Sequence, residues 1–264
     1  MPSLFGPRLP IDRDELDWQL ATFKWMKQEL GAVAPRRLVL PTPHFFPASS
    51  RKGHERIEDL FGHVRRLAGM ADWPCRLEAG QSDRPARAGL ALLLRHEGPS
   101  APSGTFRGPI RGEDAIITYN PALAGDTDAL VATFAHELAH YRMRAARTAP
   151  PGGWELHELH TDLVAVGLGF GIFLANSARN FSQFQGGGEM GWSSRTQGYL
   201  SEGALVTGLV IFQRLGGRAS EEARAYLKSY LQTDLKHASR ALGKLAPDIP
   251  AAVAAADLGA FAGD

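Results

Sequence analysis

Apolar side chains recur at helical spacing from Asp12 to Leu30, where Leu16, Leu20, Phe23 and Leu30 share a face and Gly31 ends the pattern. Arg37 to Leu40 reads as a short strand running into Pro41-Thr-Pro-His44-Phe45-Phe46-Pro47, which the prolines keep from being regular throughout. Glu55 to Ala68 is a second amphipathic helix. Three short strands are expected next, at Cys75–Glu78, Leu90–Arg95 and Ala115–Tyr119, with Gly/Pro/Ser clusters between the last two.

Beyond Asn120 the pattern becomes helical almost throughout. Asp126 to Ala146 is a long helix with acids in its first turn and Arg142, Arg144 and Arg147 near its end, as the helix dipole favours. Trp154 to about Ala178 is another, followed by a polar, glycine-rich loop over Arg179–Gly198, read as a surface loop or a flap over a cleft. Further helices are expected from near Ser201 and from Ser220 to about His237, before a weakly specified alanine-rich end. Strands first and helices second predict an α+β fold, helices packed on a small sheet, with no linker that forces a domain boundary.

Bulk properties narrow the function classes. Hydrophobic residues make up 44% and charged residues 22% of 264, the make-up of a globular protein. With 29 basic and 28 acidic residues, nothing points to nucleic acid or an anionic membrane as partner. A single cysteine, Cys75, excludes an internal disulfide framework and a multi-cysteine zinc site. The first residues lack the apolar stretch of a secretory signal, and the run Leu163–Ala175 falls short of the roughly 20 residues that span a bilayer. A cytoplasmic protein is therefore expected.

The chemistry lies in the Asp126–Ala146 helix, which contains His136-Glu137-Leu-Ala-His140. Two histidines four residues apart leave a helix on one face and can share a metal ion, and the intervening glutamate can take a proton from water beside it. Zinc held by three protein ligands keeps one position open for that chemistry. A chance match would place the three on a solvated face. Leu130, Val131, Phe134, Ala135, Leu138 and Ala139 instead surround them with apolar surface, where unpartnered polar groups are costly.

A third ligand is then required. Met143 and Ala146 stand where a three-histidine site needs glycine and histidine. The next helix offers Glu158, with Asp162 one turn on, placed to accept a hydrogen bond from a ligand histidine. His157 and His160 are the alternatives: His160 points away from Glu158 on a helical wheel, and His157 lies about a quarter-turn off.

His136-Glu-x-x-His140 followed by Glu158-x-x-x-Asp162 resembles the glutamate zincins (gluzincins), the thermolysin-like metallopeptidases, over about Ala115–Ala178. Leu40-Pro-Thr-Pro-His-Phe-Phe-Pro47, Thr161-Asp162-Leu163 and Gly198-Tyr199-Leu200-Ser201 are also similar to a group of bacterial zincin-like proteins of unassigned role. The resemblance implies a zinc peptidase acting on a peptide or protein, with His136, His140 and Glu158 on the metal, Glu137 as general base and Asp162 behind a ligand. It also implies an edge strand that pairs with substrate, for which Ala115–Tyr119 is the expected segment, and an oxyanion-stabilising group. Tyr199 is the first choice for the latter, with Arg195 and His237 as alternatives. Two other functions use the same residues: a zincin-like scaffold that cleaves nothing, and a zinc hydrolase of non-peptide amides or esters.

Gly167-x-Gly169-x-Gly171 is expected to allow close helix packing, and His44-Phe45-Phe46 to form an aromatic-capped turn.

Overall fold

The computed structural model describes residues 9–31, 37–80, 103–109, 114–183 and 199–261, with side chains of 179–183 left aside. The expected strand at Leu90–Arg95 and Arg195 lie outside these residues. Asp12 caps the first helix, α1 (Arg13–Trp25), by accepting from the Glu15 amide, and a π-helical turn, Met26–Leu30, carries it to Gly31. α2 (Gly53–Leu67) follows, then β1 (Cys75–Ala79), β2 (Gly104–Arg107) and β3 (Ala115–Tyr119).

The three strands form one sheet in the order β1-β3-β2, with β1 parallel and β2 antiparallel to β3. β3 is therefore the central strand and not the edge. Its apolar run has four of five residues buried, which suits a strand covered on both faces. Among the described residues the edges are β1 and β2, and β2 arises within the stretch of Gly/Ser/Pro punctuation.

A 3-10 turn, Pro121–Gly125, joins β3 to α3 (Thr127–Met143), whose N-cap Asp126 accepts from the Ala129 amide at 2.9 Å. α3 is buried nearly all round, with α2, β2 and β3 packed against it together with α4 and α5. The 3-10 turn Trp154–Leu156 leads into α4 (His157–Ala165), a π-helical turn (Val166–Phe170) and α5 (Gly171–Gln183). The helix thus continues past Ala178, where the glycine-rich loop was expected to begin. Taken from Trp154 to Ala178 it is long and apolar enough to cross a bilayer, and its apolar part is buried inside the protein, while its first turn at Trp154–His157 is largely exposed.

Gly169 has φ +104°, and a Cβ there would sit 2.4 Å from the Arg37 carbonyl oxygen. That glycine lets the backbone of Arg37–Leu40 lie against the helix, and the Val39 amide donates to the Gly169 carbonyl at 3.0 Å. The segment belongs to no sheet among the described residues, and this bond ties it to the broken helix instead. Gly171 permits the close packing expected of it, since a Cβ would lie 3.0 Å from Leu209 on the next helix. Around His44 the backbone turns, with the Phe45 and Phe46 amides both donating to the Thr42 carbonyl.

α6 (Glu202–Leu215) is capped by Ser201, and α7 (Glu221–Arg224), α8 (Ser229–Leu245) and α9 (Ile249–Ala255) follow it. The expected helix from Ser220 to His237 is two helices, and the alanine-rich end is partly helical. One buried cluster joins sheet and helices, and α1 packs on α4, α6 and α9 in the helical half. The fold class is α+β, as expected.

Candidate metal centre

α3 and α4 pack side by side, and each presents its polar residues to the other. One turn separates His136 from His140, and positions 158, 161 and 162 share one face of α4 by the same spacing rule. The structure brings His136, His140 and Glu158 together, their ligand atoms within 4.8 Å of one another. Nε2 of His136 lies 3.1 Å from Nε2 of His140 and 3.1 Å from Oε2 of Glu158, and the His140–Glu158 separation is 3.4 Å.

The outer partners decide which nitrogens carry protons. Nδ1 of His136 is 2.9 Å from Oδ1 of Asp162, whose carboxylate accepts, so the proton sits on Nδ1. The Thr161 hydroxyl donates to the His157 carbonyl at 2.7 Å and is left to accept from Nδ1 of His140 at 3.2 Å. Both imidazoles then turn an Nε2 lone pair inward, beside a carboxylate oxygen. Three acceptors converging in this way suit a cation. Zinc bonds of 2.0–2.1 Å in a tetrahedron give ligand–ligand edges of about 3.3 Å, close to the three separations here.

The electrostatics carry the same demand. Burial opposes an imidazolium at His136, but its hydrogen bonds to Asp162 and Glu158 outweigh this and raise its pKa to about 10. Burial raises Glu158 too, yet the two histidines hold it well below the usual carboxylate range. His140 is pushed down, chiefly by burial, and stays neutral. A metal ion held by His136, His140 and Glu158 would supply the positive charge these groups call for and leave both histidines neutral.

Glu137, only 5% exposed, is raised to about 7 by burial, with the nearby Glu158 charge adding to it against the opposing pull of His136. It lies beside β2: a Cβ on Gly104 would meet Thr133 Cγ2 at 2.5 Å and Glu137 Oε1 at 3.1 Å. Glycine at 104 lets β2 approach α3 at the level of Glu137. Two residues further along, the Phe106 ring lies parallel to that of His140, centroids 6.4 Å apart.

Asp162, 2% exposed, also accepts from the Leu200 amide through Oδ2 at 2.8 Å. That bond ties the segment before α6 to the cluster and sets the Tyr199 ring 5.2 Å from that of His136. Burial, followed by the charges of Glu158, Asp162 and Glu137, pushes the Tyr199 phenol up, so it keeps its proton.

The alternatives lie elsewhere. Both ring nitrogens of His160 face backbone carbonyls, Leu156 at 2.8 Å and Pro151 at 2.9 Å, in a pocket against Trp18 and Trp25. His157 is half exposed and places Nε2 3.0 Å from Oε1 of Glu158, the oxygen turned away from the histidine pair. His237 is on α8, and among the described residues nothing joins it to the cluster. Thr161, Phe106 and the Leu200 amide were not among the expected site residues. Thr161 had a signal, because it sits on the same face as Glu158 and Asp162. The other two had none.

Comparison with known protein families, curated proteins and solved structures finds no match to this sequence.

Proposed function

We propose that this protein is a zinc-dependent metallopeptidase of the glutamate-zincin type, with His136, His140 and Glu158 as metal ligands. The observation that carries the reading is the convergence of those three acceptors, each histidine fixed from behind, beside a buried carboxylate on the edge-strand side of α3. When bound, zinc supplies the Lewis acidity that polarises a peptide carbonyl and makes water nucleophilic at neutral pH. Glu137 takes the proton of the attacking water and hands it to the leaving amine. β2, the edge strand packed against α3 among the described residues, offers backbone groups to an extended peptide and so replaces Ala115–Tyr119 in that role.

The test is zinc content together with cleavage of a peptide library. One zinc per protein molecule is expected, with cleavage that a chelator stops and added zinc restores. Cleavage that persists after complete zinc removal would sink the reading.

Tyr199, whose ring lies against that of His136 and whose phenol stays protonated, is assigned to hydrogen-bond the developing oxyanion. Tyr199→Phe is expected to lower kcat by about 10-fold or more with zinc affinity unchanged, measured by steady-state kinetics and chelator competition. An unaltered kcat removes Tyr199 from the reaction.

A further inference from the structure

A cleft of about 530 Å³ opens beside His140, lined by Phe106, Met143, Arg144, Ala146, Trp154 and His157. Its size is that of a side-chain or small-ligand pocket. Phe106 from β2, Met143 from α3 and Trp154, 46% exposed, give it an apolar side. Large apolar side chains left open to water next to a reaction centre are suited to contacting substrate.

The pocket also has one fixed charge. Of the three arginines at the end of α3, Arg142 donates to the Leu30 carbonyl and lies over the Trp73 ring, and Arg147 pairs with Glu29. Arg144 is exposed and has no ion pair or side-chain hydrogen bond among the described residues. Its guanidinium rests on Gly108 at the end of β2, where a Cβ would lie 2.6 Å from Nη1 and 2.7 Å from Cζ. Glycine there seats the cation on the cleft's rim. The other ionisable groups lining the cleft are the imidazoles of His140 and His157, and among the described residues no carboxylate lines it.

We infer that this cleft selects substrates in which an aromatic or large aliphatic group lies near a carboxylate, the apolar group between Phe106 and Trp154 and the carboxylate on Arg144. Calling the ligand a substrate rests on the metallopeptidase reading, whereas the binding itself does not. The planar guanidinium can engage both oxygens of a carboxylate. That carboxylate can belong to a peptide's C-terminus or to an acidic side group.

The test is calorimetric titration of the full-length protein after metal removal, so that zinc cannot bind the carboxylate, repeated in the zinc-loaded Glu137→Gln protein. The probes are N-acetyl-phenylalanine, its C-terminal amide, and N-acetyl-phenylalanyl-glutamate amide. At least one anionic probe is expected to bind about 10-fold or more tightly than the neutral amide, since a charged hydrogen bond is at stake. Preference for the first identifies a C-terminal carboxylate, and preference for the third an acidic side group.

Arg144→Gln should abolish the preference and Arg144→Lys retain part of it, while Trp154→Ala weakens all three probes. Equal affinities, no binding at millimolar concentration, or a preference that survives Arg144→Gln would each overturn the inference. Cleavage is not used as a readout, so absence of peptidase activity leaves the outcome interpretable.

Discussion

Glu137→Gln is expected to lower peptide cleavage by about 10²–10⁴-fold, the range for loss of a general base. Zinc content and fold should stay as they are. Glutamine has nearly the same shape, so the close approach of Gly104 to the side-chain oxygen is preserved. It also removes a carboxylate that burial disfavours, so thermal stability should hold or rise slightly.

The pH profile has a definite sign. The base works only when ionised, so kcat/KM falls as pH drops through the Glu137 pKa. Burial places that pKa at about 7 without a metal, and a bound cation lowers it, so the acid limb is expected below pH 7. Kinetics across about pH 4–8, bracketing that limb, with parallel zinc analysis make the check. Full activity in the variant refutes the mechanism; loss of zinc would mean Glu137 has a structural part in the site.

The core of the site was legible because helix periodicity is local. The four-residue spacing in His136/His140 and Glu158/Asp162 fixes faces without reference to the rest of the protein. Helix caps are equally local, and Asp126 and Ser201 sit where their hydrogen bonds require. Sheet position is not local. β2 is four residues with alternating exposure, and it exists only through pairing with β3. Its neighbour β3 carries a local signal: the unbroken apolar run Ala115-Ile-Ile117 suits a strand covered on both sides, not an edge.

His160 illustrates the same limit from the other direction. Its exclusion from the metal site depends on Trp18, Trp25 and the Pro151 carbonyl, brought together only by tertiary packing. The helix from Ser220 was read as continuous because its composition favours helix throughout. It breaks at Ala225–Lys228, where the Tyr226 carbonyl accepts from Asn176 and the Lys228 amide donates to that same side group, a long-range pair invisible in the local sequence.

Asp162→Asn tests the layer behind the ligands, and its expected effect is double. Oδ1 accepts from His136 and Oδ2 from the Leu200 amide, so the native residue needs two acceptors. Asparagine offers one. With its oxygen toward His136, its amide group meets the Leu200 N–H donor to donor, and the segment holding Tyr199 is released. Flipped, it presents N–H to His136 Nδ1 and drives the ring proton onto Nε2, into the space where the three acceptors converge. Zinc affinity is expected to fall about 10–100-fold, the usual cost of losing such a partner. An unmet buried donor adds a stability loss of roughly 1–3 kcal/mol. Because Leu200 follows Tyr199, kcat should fall as well, even at saturating zinc, whereas Tyr199→Phe leaves zinc affinity intact. Chelator competition, thermal denaturation and kinetics at saturating zinc separate these effects. Unchanged zinc affinity in Asp162→Asn would show that the His136 tautomer is not set by this carboxylate, and with it would fall the argument that both Nε2 lone pairs face the metal.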